Sequence, residues 1–169
     1  MLTGEFVAHT TIAMVTDKLR ATDALGFLCW KVSRLASHHI SRRFAEAGVG
    51  VTVEQWRVLI PLYKRPGLTQ GQLGEILSQE KTGVSRLVGA LEKHRLAYRE
   101  SSKEDRRVKH VYITDAGREL YESTIQIVVE CRSELEKGID PEELAICKKV
   151  LWQIIEPTLA PEFQCKMAE

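Results

Sequence analysis

The sequence predicts a mainly helical chain carrying one small β-hairpin, an α+β arrangement, and three observations lead there. Apolar residues recur at three- and four-residue steps in several segments, the period of a helix with one buried face. Two capping boxes, Thr52-Val-Glu-Gln55 and Thr69-Gln-Gly-Gln72, mark helix starts. Between Leu96 and Ile113, two stretches rich in β-branched and aromatic residues flank a polar, charged centre, as in a hairpin with a charged tip.

Residues 1–22 show no periodicity and read as an extension. The first helix is expected over 23–47, with Asp23 as N-cap and Gly48 and Gly50 ending it. Its repeating face holds Leu25, Leu28, Val32, Leu35, Ala36, His39, Ile40 and Phe44. Thr52 opens a second helix through Trp56, Leu59 and Tyr63, whose last turn Pro61 is expected to bend. Arg65-Pro-Gly-Leu68 breaks the chain, and Thr69 opens a short helix to about Leu77. From Lys81 to His94, Val84, Leu87, Val88 and Leu91 form one apolar face. The opposite face carries Lys81, Thr82, Ser85, Arg86, Gly89 and Lys93. After the hairpin, Thr114 caps a long helix with Leu120, Thr124, Ile127, Cys131 and Leu135 inward, closed by Gly138. Asp140-Pro-Glu-Glu143 starts a last helix through Leu144, Cys147, Leu151 and Ile154, ending before Pro157. A single domain over 23–156 is expected, with 157–169 as a tail.

Composition bounds the function. At 169 residues the chain can bury about 70% of its unfolded surface, so it needs no disulfide or metal to fold. Its 44% hydrophobic and 28% charged residues exclude collagen-like, disordered and disulfide-scaffold classes. No apolar run nears the ~18 residues of a membrane span. The start, MLTGEFVAHTTIAM, has neither a basic leader nor a continuous apolar stretch, so a cytoplasmic protein is expected. The net charge of +1 hides an asymmetry: Lys81–His110 holds nine Lys and Arg against four acids, while the remainder holds fifteen against nineteen. Such a block points to a polyanionic partner, with the phosphate backbone of DNA as leading candidate.

No cofactor or metal is expected. Cys29, Cys131, Cys147 and Cys165 are scattered without zinc spacing, and Cys131 and Cys147 are expected to be buried on apolar faces. His38 and His39, adjacent on a helix, point in different directions. With no nucleophile elbow, phosphate loop, HExxH or paired-carboxylate spacing, the chain reads as a non-enzyme.

Two short capped helices followed by a basic hairpin follow the plan of a winged helix-turn-helix, covering about 52–113. In that plan the second helix enters the major groove, the one groove that distinguishes all base pairs. The hairpin reaches an adjacent minor groove, where negative potential favours arginine. Leu68-Thr-Gln-Gly-Gln-Leu73, Lys81-Thr-Gly-Val-Ser-Arg-Leu-Val88, Leu91-Glu-Lys, Asp105-Arg-Arg107 and Ile113-Thr-Asp-Ala-Gly117 together resemble the MarR family of bacterial transcriptional regulators. Gln55-Trp56-x-x-Leu59 and Asp140-Pro-Glu-Glu143 extend the resemblance over roughly 23–156.

The resemblance implies a homodimer joined through 23–47 and 114–156, reading a near-palindromic double-stranded operator and often released by a small ligand. A repressor that competes with polymerase is expected, with no role at a membrane. Base contacts are expected from Lys81, Thr82, Ser85 and Arg86, and phosphate contacts from Thr69, Gln70 and Ser102. Arg107 would enter the minor groove, held by Asp105 two residues earlier on extended backbone, while Lys103, Arg106 and Lys109 neutralise phosphates. Trp30, His39, Trp56 and Arg57 are the candidate pocket for an aromatic or phenolic effector.

Three departures from the family pattern stand out. The family usually has glycine where Arg95 stands, so a differently built turn is expected there. Gly83 and Gly89 interrupt the second helix of the motif, each at up to ~1 kcal/mol against alanine; either the bare backbone approaches DNA or the glycines are drift. The sensing position of the family's peroxide sensors falls at Gly26 rather than Cys29, which disfavours a redox-responsive regulator. The remaining rival is a winged-helix module that docks protein and not DNA.

Overall fold

The computed structural model describes residues 23–161. Helix α1 (Leu25–Glu46) begins one residue later than expected: the Leu28 N–H bonds to the carbonyl of Ala24, which makes Ala24, not Asp23, the N-cap. It ends in a Schellman turn. Gly48, at φ +68°, donates to Ala45 O, and Val49 donates to Phe44 O.

Both capping boxes form, opening α2 (Val53–Lys64) and α3 (Gln70–Leu77). Helix α2 continues through Pro61 to Lys64, and the Arg65 N–H still bonds to Pro61 O at 2.9 Å. Helix α4 (Lys81–Lys93) buries Val84, Leu87, Val88 and Leu91, as its periodicity requires. Thr114 accepts the Gly117 N–H to open α5 (Asp115–Glu136). Asp140 accepts the Glu142 and Glu143 amides to open α6 (Pro141–Ile155), which runs into a 3-10 turn over Glu156–Thr158.

The expected two-stranded hairpin is a three-stranded antiparallel sheet. Strands β2 (Ala97–Ser101) and β3 (Lys109–Ile113) pair with Ala97 opposite Ile113. The segment read as a break supplies β1 (Leu68–Thr69), which pairs with β3 through Leu68–Val111 and Thr69–His110, giving the order β1-β3-β2. Gly67 makes this sharp entry at φ +83°.

Among the described residues the chain divides into two units, up to His39 and from Ile40 on. The described part of the first unit is the start of α1, where no side chain is buried; Leu25, Leu28, Val32 and Leu35 are all exposed. In the second unit, Val53, Val58, Leu59, Leu62, Leu73, Val84, Val88, Leu91 and Val111 are fully buried. Each contributes about 1.5–3 kcal/mol of burial, which fixes α2, α3, α4 and the sheet in one core. Trp56 joins that core to α5: its indole N–H donates to Thr124 Oγ1 at 2.8 Å, and its ring stacks on Tyr121 at 5.4 Å.

The end of the chain departs from expectation. In α5, Thr124 and Cys131 are buried, but Leu135 is exposed. Helix α6 buries no residue at all: Leu144 and Leu151 are half-buried, and Cys147 and Ile154 are exposed. Leu159, read as tail, is buried. Its burial returns the chain to the core beyond residue 156.

Candidate nucleic-acid interface

The turn between α3 and α4 is tight because Gly74 lacks a side chain. A Cβ there would lie 2.8 Å from the Gln79 carbonyl, and the Gln79 N–H bonds to Gly74 O. Ser78 takes the left-handed conformation, φ 50°, that closes α3. The turn therefore sets α4 with Lys81, Thr82, Ser85 and Arg86 all exposed, opposite its buried face. The N-cap residue Glu80 makes no side-chain cap, and the first turn holds no acid. Its amides and Lys81 form a positive end suited to phosphate.

Thr69 and Gln70 lie where β1 passes into α3. The Thr69 hydroxyl accepts the Gln72 N–H. Gln70 and Lys81 both line an open groove of about 420 Å³ at the helix turn, and Gln70 Nε2 is buried without a hydrogen-bond partner. Gly83 and Gly89 are half-buried and face protein. A Cβ on Gly83 would meet Gln79 Oε1 at 3.1 Å, and one on Gly89 would lie 4.0 Å from Arg99 Nη2. The bare backbone at Gly89 is thus turned to the wing strand rather than to an open face.

The wing tip is a built turn, not extended chain. The Val108 N–H bonds to Asp105 O, and the Ser102 N–H to Val108 O. Ser102 Oγ accepts the amides of Glu104 and Asp105, leaving its own proton to donate. Asp105 and Arg107 do pair, but by a different route from that expected. Asp105 Oδ1 accepts the Arg107 N–H at 2.9 Å and Arg107 Nε at 3.2 Å, an Asx turn that folds the side chain back. The Arg107 amide, and then its guanidinium, hold the Asp105 carboxyl below its ordinary value. Arg107 is held at its base while its side chain stays 91% exposed. Lys103 and Arg106 are exposed beside it, and Lys109 Nζ donates to Ser101 Oγ at 2.6 Å.

One feature escaped the sequence reading, and one expected departure from the family pattern does not occur. Arg99, on β2, donates from its backbone N–H and Nη1 to Glu92 at 3.0 and 2.6 Å, and from Nη2 to Ser85 O at 2.7 Å. Strand alternation carried the signal: Arg99 shares a face with buried Ala97, and an inward guanidinium needs an acid. Arg95 keeps the glycine-type turn instead of replacing it. It sits at φ 59°, donates to Glu92 O while Leu96 donates to Leu91 O, and so forms a Schellman turn with a side chain at the strained position.

The residues assigned to an effector pocket are placed differently from one another. Trp56 is buried, with its one donor taken by Thr124. Arg57 and His39 are half-buried, and Trp30 is 56% exposed, 5.7 Å from the Phe27 ring. Of the cysteines, Cys29 and Cys147 are exposed and Cys131 is buried, where desolvation pushes its thiol up and away from the reactive thiolate. Cys165 lies outside the described residues. Among the described residues no His, Cys, Asp and Glu group could hold a metal, and no helix is long and apolar enough to cross a membrane.

This geometry recurs in known proteins. A sequence model of the MarR family matches residues 49–108, the segment that holds α2, the helix-turn-helix and the wing tip. Over that segment the chain carries the sequence pattern of the MarR family. Its fold matches a MarR-family transcriptional regulator from Rhodococcus sp. RHA1 at 22% identity and TM-score 0.73, over 83% of this chain and 99% of that one. A MepR–DNA complex from S. aureus matches at 26% identity and TM-score 0.69, over 79% and 98%. CouR from Rhodococcus jostii RHA1, bound to p-coumaroyl-CoA, matches at 21% identity and TM-score 0.70, over 83% and 98%. The winged-helix fold shared with these proteins accounts for the sheet order, the capped helix pair and the charged wing.

Proposed function

We propose that this chain is a homodimeric regulator of the MarR type that binds a near-palindromic operator and represses by excluding polymerase. One observation carries the reading: a single packed lobe presents both the polar face of α4 and a wing whose Arg107 is oriented by Asp105. In this reading Lys81, Thr82, Ser85 and Arg86 read bases, and Gly83 offers its first-turn amide. Thr69, Gln70, Ser102, Lys103, Arg106 and Lys109 hold phosphates, and Arg107 enters the minor groove. The DNA-bound state of MepR supports the partner class.

Dimerisation through 23–47 and 114–156 is supported by what those segments leave uncovered. Ile146, Val150, Ile154 and Ile155 on α6 are 45–63% exposed, and on α1 Leu25, Leu28, Val32 and Leu35 are 41–52% exposed. Uncovered stripes of this size mark an interface. A small aromatic effector is part of the reading, supported by the p-coumaroyl-CoA that CouR holds. Within the unit from Ile40 on, Arg57 is its first candidate, with Trp56 as wall rather than hydrogen-bond donor.

The test is selection of duplexes from a randomised library, followed by titration of the wild type and Arg86→Ala. Convergence on a near-palindrome, with Arg86→Ala costing about 1–3 kcal/mol and relaxing one position per half-site, is the expected result. Failure of the selection to converge would refute sequence-specific binding. Adding phenolic acids to the same titration tests the effector.

A further inference from the structure

We propose that Arg99 is a positioning residue for DNA reading: it fastens the wing to α4, across the bare backbone at Gly89, so that helix and wing engage DNA as one rigid unit. The inference rests on the DNA-binding reading above and deepens it. Arg99 spans two turns of α4. Its Nη1 and backbone N–H take both oxygens of Glu92, and its Nη2 reaches the Ser85 carbonyl at 2.7 Å and the Ser85 hydroxyl at 3.4 Å. Ser85 is one of the proposed base-reading residues, so the contact fixes a reading side chain as well as the helix axis.

At Gly89 a Cβ would lie 4.0 Å from Nη2, an ordinary contact, so the clamp passes over a part of α4 where nothing crowds it. Arg99 Nε is buried with no hydrogen-bond partner. A guanidinium kept there despite an unmatched donor is placed for geometry more than for stability. Lysine cannot replace it: a single ammonium on a flexible stem cannot hold Glu92 and the Ser85 carbonyl together in a fixed fork.

Two variants separate positioning from charge and from folding. Arg99→Lys keeps the charge and loses the fork. Glu92→Gln removes an acid, so simple electrostatics would tighten binding to every DNA. Each is compared with the wild type for affinity to the library-selected duplex and to random-sequence duplex, well below its melting temperature. Hydrogen exchange of α4 and β2 is measured in the free protein.

The clamp predicts that both variants lose about tenfold on the selected duplex, while Arg99→Lys is unchanged and Glu92→Gln slightly tighter on random DNA. It also predicts faster exchange in α4 and β2 together. An unchanged ratio of selected to random affinity overturns the positioning role, even where exchange rises. Unchanged exchange overturns the clamp itself. A wild type that selects no duplex overturns the DNA-binding reading and the positioning role with it, and exchange still decides whether the clamp exists.

Discussion

Replacing Arg95 by glycine should stabilise the protein, although it deletes a charged side chain from a basic surface. Arg95 stands at φ 59° in the Schellman turn after α4. Two flanking contacts hold it there: Thr114 Oγ1 donates to Arg95 O at 2.7 Å, and the Thr114 N–H bonds to Leu96 O at 3.1 Å. The left-handed conformation costs an L-residue roughly 1–2 kcal/mol. Glycine removes that cost but loses more backbone entropy on folding, on the order of 0.4–1 kcal/mol. The net gain is about 1 kcal/mol, or about 2–4 °C in Tm for a protein of this size. Arg95→Ala keeps the Cβ and so the strain, and should gain nothing. Thermal melts of the three proteins at one fixed concentration decide the matter, since oligomerisation also moves Tm. If Arg95→Gly melts no higher than Arg95→Ala, the turn is not left-handed at residue 95 and the reasoning fails.

Gly117→Ala should be severe, because a Cβ there would collide with the Leu96 carbonyl and crowd Ile113 Cγ1 at 2.8 Å. Backbone cannot rotate away, so a loss of about 1–3 kcal/mol in denaturant unfolding is expected, and a neutral result would contradict the packing of α5 on the wing root. Thr124→Val keeps the volume but strands the buried Trp56 N–H, and should cost about 1–3 kcal/mol in the same assay. A cost near zero would mean that the Trp56 N–H finds another acceptor.

Local chemistry made much of the fold legible. Val84, Leu87, Val88 and Leu91 announce α4 because a helix burying one face must repeat at that period, and Thr52 with Gln55 and Thr69 with Gln72 satisfy orphan amides without outside help. What was illegible depends on distant partners. Strand β1 has only two residues, and Leu68 becomes a strand only through Val111, far along the chain. Helix α6 carries the periodicity of a buried helix, yet Cys147 and Ile154 are exposed, because periodicity reports that a face seeks cover and not what covers it. At the candidate site, the exposed face of α4 followed from its buried one. The Asp105–Arg107 pair was expected for the wrong backbone, since the Asp105–Val108 turn depends on a hydrogen bond that strand alternation does not encode. The Arg99 clamp was missed because charge counting treats a guanidinium as surface until its strand face is assigned.

The central claim, that helix and wing read DNA together, is tested most directly by titrating Arg107→Ala and Arg106→Ala on duplexes with matched A·T and G·C flanks at several salt concentrations. Arg107 is pinned at its base by Asp105 Oδ1 and loses less freedom on entering a groove, so Arg107→Ala should weaken binding most on the narrow A·T flank. Arg106→Ala should lower affinity alike on both flanks and reduce the salt slope by about one unit. Equal behaviour of the two variants on both flanks would contradict the account and reduce the wing to an electrostatic patch.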